Sequence, residues 1–566
     1  MKESQKESHC TVMTSACNFR SRTLGSRTFT ALLPALLTMF AASASAQSGR
    51  GGYEADPARL GHAEMNISCA AAAQAPFERG LLLLHSFAWP EARKGFEDAA
   101  QADPNCAMAF WGIAMSYYDS LHGHPSAEEV EEARAALAKA HTASTATDRE
   151  RAYVAAAENF YRGYPQVERR DRDRAYHQAM AQLHRDYPQD KEATIFYSLS
   201  MLALARRGVE NGNELQAEAA GIMEPLFRQM PDHPGLAHYL IHDYDDAGQR
   251  ELGRAAALRY SGIAPSLTHA QHMPSHIFAG VGMWDENIAS NSAALAAQPA
   301  SYHAMMYLVY GHLQKGQRAK AREIVDQLRA NAASSQGSSA QRRGLHSLNT
   351  WLLLESRDWA AAAQAEEYSD VPLDREENLY VRGVGAARSG NLDLAARVLT
   401  LLRNAVAEFG RDNDSGVAAR YQMSRIHLKQ VEAAVRLAEG RGDDAVARMR
   451  EAVQIADAPG VSWAPPDAGT GLPAHEFFGE ILLELGRYDE ALQEFQKAVE
   501  RTPNRLYSVH GLAKSAALAG DRATAEAQFK LLSELLADAD PGLPEAAEAR
   551  QYLTRYDTAR VSEPRL

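Results

Sequence analysis

The chain has 566 residues, is 46% hydrophobic, and carries 59 Lys and Arg against 72 Asp and Glu, a formal charge of −13. An acidic surface repels phosphate backbones and anionic bilayers, which excludes nucleic acid and anionic membrane as partners. The length exceeds one ordinary core and would suggest about four domains, unless the chain is built of repeats whose units contact only their neighbours.

Residues 1–46 read as a signal peptide. Arg20, Arg22 and Arg27 precede an apolar run from Phe29 to Phe40, and Ala44-Ser45-Ala46 supplies a small-residue cleavage site. Translation starts at Met1 or Met13, because residues 1–12 add nothing that a signal needs. Cleavage near Ala46 implies an exported protein, periplasmic or secreted, and takes five positive and two negative charges with it, so −13 becomes −16. No other stretch approaches the eighteen or more apolar residues that would span a bilayer. Residues 47–68, rich in glycine and charge, read as a flexible leader.

From Cys69 the pattern becomes helical and punctuated. FERGLLLLHSF, a break at Trp89-Pro90, and EARKGFEDAAQADP give an apolar face at helical spacing followed by a proline stop. Gly80, Ala92, Phe96, Ala99 and Pro104 occupy positions that recur near the other end as Gly479, Ala491, Phe495, Ala498 and Pro503, within HEFFGEILLELGRYDEALQEFQKAVERTP, and again as Gly511, Ala525 and Phe529. Small residues let two antiparallel helices approach while a large aromatic fills the gap. On these residues the chain resembles the tetratricopeptide repeat family. The resemblance implies an all-α fold, an α-solenoid of about a dozen helical hairpins. The divisions expected are an N-terminal solenoid over 69–330, a low-complexity loop over 331–341, degenerate hairpins over 342–470, a C-terminal repeat pair over 471–540, and a capping helix and tail over 541–566. Cys69 and Cys106 open the first helices of adjacent hairpins, where they form either a disulfide in an oxidising compartment or two small buried hydrophobes.

The histidines are concentrated between Pro234 and Gly316. The differences 272 − 238, 276 − 242 and 303 − 269 are each 34, the period of the repeat. His238 and His242 are four apart, as are His272 and His276, so each pair shares one helix face. The family places its ligand-contacting residues on the first helix of each hairpin, facing the concave groove. Carried over position by position, that implies a groove lined by His238, His242, His269, His272, His276, His303, Asp245 and Tyr310.

Three readings of the groove stand side by side. It is a polar, hydrogen-bonded floor that contacts a protein or peptide partner, which makes the chain a binding scaffold, or that merely stabilises the stack. Or His238, His242, His272 and His276 converge on a transition metal, Zn, Cu, Fe or Ni, with Asp245 or Asp243 as a further ligand or as an orienting carboxylate. Or it binds an anion once the histidines are protonated. No Gly-rich phosphate loop, zinc-protease His-Glu pair or nucleophile elbow is present, so the motifs name no enzyme class.

Overall fold

A computed structural model of the chain describes residues 59–562, apart from 122, 210, 247, 335–337, 370, 411–414, 459–460, 462–465 and 467–470. The signal peptide expected over 1–46 lies outside the described residues. Among those described there is no strand. The helices pair in sequence into a dozen hairpins, from Ala71–His85 with Trp89–Ala102 through Leu506–Ala519 with Arg522–Leu535, followed by a last helix, Pro544–Ser562. Each pairs with its chain neighbours, so the fold is an α-solenoid of tetratricopeptide-like hairpins. Among the described residues no helix is long and apolar enough to cross a membrane.

The packing follows the residues from which the repeat was read. Phe96 is fully buried between Gly80 and Gly112, and a Cβ built on Gly80 would lie 2.8 Å from its ring. Phe495 sits the same way between Gly479 and Gly511, with 2.6 Å to a Cβ on Gly479. Ala92, Ala99, Ala491 and Ala498 line the same seams and are buried. A methyl group at either glycine would force the helices apart, so the hairpin spacing is set by glycine on one side and phenylalanine on the other.

Two stretches depart from expectation. Residues 59–68, expected as flexible leader, pack on the solenoid: Leu60 is fully buried, the His62 amide donates to the Asp232 carbonyl at 3.0 Å, and the Ser68 amide donates to Glu150 at 2.6 Å. The apolar pair Leu60 and Met65, set among charge and glycine, is what anchors them. The loop expected over 331–341 is largely helix. Arg318–Ser334 runs into it from one side, and Ser339–Glu355 starts within it under a capping box from Ser338 and Gln341. Helices Tyr302–Gln314 and Ser339–Glu355 pack across it, with Gly344 against the Tyr302 ring, so the stack continues without a break.

The C-terminal repeats also fold back onto the middle of the chain. Trp284 Nε1 donates to the Asn504 carbonyl at 2.7 Å, and the Asp540 amide donates to the Gly316 carbonyl at 3.1 Å. At the centre of this contact Arg505 is wholly buried, 2.6 Å from Glu355 and 2.7 Å from Glu476, with Tyr310 Oη against its guanidinium. Glu476 also takes Arg357 at 2.9 Å and the Ser508 hydroxyl at 2.6 Å. Breaking a buried ion pair by removing one partner strands the other charge and costs about 3–5 kcal/mol. Arg505→Ala is therefore expected to lower the unfolding free energy in urea by about that amount, and to open the 503–543 contact to limited proteolysis before the histidine-bearing hairpins are cut.

Candidate metal centre

Three consecutive hairpins carry the histidines. Their first helices are Pro234–Tyr244, the broken pair Thr268–His272 and Pro274–Val281, and Tyr302–Gln314. The break at Met273 follows from Pro274, which has no N–H to return to Ala270; Met273 keeps helical angles, so the axis continues. His269, His272 and His276 therefore remain on one face of a nearly continuous helix.

The four histidines His238, His242, His272 and His276 do not form one cluster. They divide into two triads, each completed by a histidine from the start of the following hairpin: His238, His242 and His269, and then His272, His276 and His303. Every member of the second triad lies 34 residues after its counterpart in the first. Within each, the three ligand atoms lie within 4.8 Å of one another. His238 Nε2 is 3.1 Å from His242 Nε2 and 2.9 Å from His269 Nε2. His276 Nε2 is 3.2 Å from His272 Nε2 and 3.3 Å from His303 Nε2.

The other ring nitrogens decide what these contacts mean. His238 Nδ1 is 2.7 Å from the His85 carbonyl, which can only accept, so Nδ1 carries the proton. Burial pushes His238 down to about 3, the His85 carbonyl opposing it and the charges of His85 and His276 adding to it. The ring is therefore neutral, and its Nε2 presents a single lone pair to two approaching imidazoles. One in-plane lone pair satisfies one donor well, and here two imidazoles share it.

The same logic runs through the second triad. His272 Nδ1 is 2.7 Å from Asn291 Oδ1, and the Asn291 amide faces the Asn287 carbonyl at 2.8 Å, which fixes the oxygen toward the ring. His272 thus donates from Nδ1, and burial, with the charges of His303 and His276, holds it well below the usual imidazole range. His276 Nδ1 is 2.8 Å from Asp245 Oδ2 and 3.1 Å from the Tyr307 hydroxyl. Burial would raise Asp245, but the charge and hydrogen bond of His276, with Arg250 and Arg206, hold it down at about 2. Two Nε2 atoms then face each other at 3.2 Å, and they need either a proton on His276 or a cation between them.

Residues that the histidine spacing did not reveal complete the surroundings. Gly235 stands where the next two hairpins have His269 and His303, and a Cβ there would collide with the His85 ring. That ring is fully buried, 2.8 Å from Glu192, which also takes His233 at 3.0 Å. The Tyr239 hydroxyl, 2.9 Å from His85 Nδ1, completes this brace behind the first triad. Phe87 lies over the triad, 4.4 Å between ring centroids from His238 and 5.7 Å from His242, and its left-handed φ of 54° is that of the helix-ending turn, where the later hairpins have Gly282 and Gly316. Asn291, Tyr307 and Phe87 carry no periodic signature. His85 is placed by contacts far along the chain, with Glu192 and Tyr239.

The remaining expected site residues are distributed as follows. Asp245 caps the end of Pro234–Tyr244 and orients His276 rather than facing a triad. Asp243 is buried with neither carboxylate oxygen hydrogen-bonded, and burial pushes it up to about 7. Tyr310 does not line the groove: it is enclosed by the returning C-terminal repeats and engages Arg505. Cys69 and Cys106 are joined in a disulfide, with Cα atoms 5.0 Å apart.

No family model matches the chain, and no curated protein matches it. Among solved structures it is similar to the human IFIT1 dimer with m7Gppp-AAAA, at 13% identity and TM-score 0.33 over 88% of this chain and 99% of that one. Yeast Tom70 is matched at 11% identity and TM-score 0.29, over 87% and 97%. The TPR domain of P58(IPK) is matched at 14% identity and TM-score 0.22, over 80% and 99%. Likenesses this distant carry nothing about the site.

The buried imidazoles set an acid limit on the fold. His85, His238 and His272 are all lowered by burial, so below about pH 6.5, where free imidazoles titrate, the unfolded chain binds protons that the folded one refuses. Their contribution is complete above that pH and is lost as pH falls toward 3. Glu192 and Asp245, held low by their partners, remove more once carboxylates protonate in the unfolded state. In chelator, the unfolding free energy in urea is expected to be flat above about pH 7 and to fall between pH 6.5 and 4, with a slope of about 1.4 kcal/mol per pH unit for each such group, less the opposing slope of Asp243, which keeps its proton in the folded chain up to about pH 7.

Proposed function

We propose that the chain is a transition-metal-binding solenoid, with one ion held by His238, His242 and His269 and a second by His272, His276 and His303. The observation that carries this reading is the orientation of the Nε2 atoms. In each triad three imidazole nitrogens point at one another from two adjacent helices, while at three rings the Nδ1 proton is already committed elsewhere. Two nitrogens bound about 2.0–2.1 Å from a tetrahedral zinc are about 3.3 Å apart. The closest approaches here, 2.9 to 3.3 Å, are of that order.

The surroundings support the same reading. A metal-bound imidazole commonly gives its other N–H to a carbonyl, an amide or a carboxylate, and this chain supplies one of each: His85, Asn291 and Asp245. All-imidazole ligation suits zinc and copper before harder ions. Three protein ligands leave a coordination position open, where a bound ion would act as a Lewis acid toward water or a small ligand. Export to the periplasm or beyond fits the signal-like N-terminus and the disulfide between Cys69 and Cys106.

Capture of a peptide by these same histidines is the weaker reading. His238, His242 and His272 are buried and turned toward each other, which leaves them little surface to offer a partner. The two readings separate by experiment. Purified without an affinity tag and loaded with Zn(II) or Cu(II), the chain is expected to lose one equivalent on His269→Ala and a further one on His303→Ala, with its far-UV circular dichroism unchanged. Those two residues are only half-buried, so their removal spares the core. Metal content that is at background in the parent chain, or unmoved by both changes together, overturns the proposal.

A further inference from the structure

A different cluster of potential ligands lies one hairpin beyond the histidine series. His346, on helix Ser339–Glu355, faces Asp374 and Glu377, three apart on the first turns of helix Pro372–Arg388. One ligand atom from each lies within 4.8 Å of the other two. His346 Nε2 is 3.1 Å from Glu377 Oε2, and the three side chains are 2%, 7% and 9% exposed.

Two buried carboxylates this close repel each other and lose hydration, a cost that only a neighbouring positive charge offsets. Arg343 is one such charge, its Nε 3.5 Å from Asp374 Oδ2. That contact is poorly made: neither Arg343 Nε nor Asp374 Oδ2 has a hydrogen-bond partner, although both atoms are buried. An unmade hydrogen bond on a buried carboxylate costs about 1–3 kcal/mol or more. The placement of Asp374 at a helix N-terminus accounts for its negative charge, but not for the buried Oδ2 that has no hydrogen bond. Arg343 is 42% exposed, and a long half-exposed side chain can swing into solvent and surrender its place.

We propose that His346, Asp374 and Glu377 bind a divalent cation, with Arg343 as the internal counterion that it displaces. One imidazole nitrogen with two carboxylates is a mixed donor set that suits Mn(II), Fe(II) or Zn(II), unlike the all-nitrogen triads. The site rests on a separate pair of helices and does not depend on the histidine triads holding metal.

The test uses the full chain carrying His269→Ala and His303→Ala, which weakens both triads, and offers Mn(II) and Zn(II) in turn. One equivalent of at least one of them is expected to bind after gel filtration and to raise the melting temperature. Adding Asp374→Asn with Glu377→Gln is expected to abolish both effects while the circular dichroism stays helical. Arg343→Ala is the discriminating variant: removing a displaceable counterion tightens binding several-fold, whereas a structural Arg343–Asp374 pair would leave binding absent and only lower stability. Absence of both metals from a folded chain, or their retention by the Asp374→Asn/Glu377→Gln variant, overturns the proposal.

Discussion

Much of the histidine groove depends on where three Nδ1 protons go. The His85 carbonyl, Asn291 and Asp245 each take one, and in doing so they turn the opposite nitrogens of His238, His272 and His276 inward. Burial keeps His238 and His272 uncharged, so the inward nitrogens present lone pairs instead of protons. A protein that needed these histidines only as polar filling would have paired donors with acceptors. Here one acceptor of the first triad faces two imidazoles and two acceptors of the second face each other, an imbalance that a bound cation would resolve.

The repeat explains why there are two triads and why they stop. A solenoid reproduces its side-chain geometry at each period, so one triad built between neighbouring hairpins is copied by the next pair at the cost of three substitutions. Going 34 residues further, His272 and His276 are answered by Met306 and Tyr310, which cannot continue the series. Tyr310 is turned instead to the fold's closure, where the C-terminal repeats return and Arg505 meets Glu355 and Glu476. The same repeat position thus serves as a candidate ligand in two hairpins and as an anchor for a long-range contact in the third.

How much of this was legible in the sequence follows from the range of each interaction. The hairpins were readable because Gly80, Phe96, Gly479 and Phe495 act on their nearest neighbours in the chain. The groove was readable from the 34-residue spacing, and the members of both triads were all among the residues it named. Their grouping was not. Pairing at i and i+4 suggested that His238 and His242 face His272 and His276 directly, whereas the advance between stacked helices brings the earlier residue, His269, level with the first pair. His85 and Asn291 act on rings 153 and 19 residues away, and the burial of Tyr310 depends on Arg505, 195 residues on. Nothing periodic marks such contacts. The packed segment 59–68 escaped for a different reason: two apolar side chains, Leu60 and Met65, outweigh a composition that otherwise reads as unstructured.

The most direct measurement is anomalous scattering from crystals of the metal-loaded chain, collected at the zinc or copper absorption edge. The account expects two separate peaks, one about 2.0–2.1 Å from the Nε2 atoms of His238, His242 and His269 and the other at the same distance from those of His272, His276 and His303. A single peak shared by His238, His242, His272 and His276, or no peak at either triad, would contradict it.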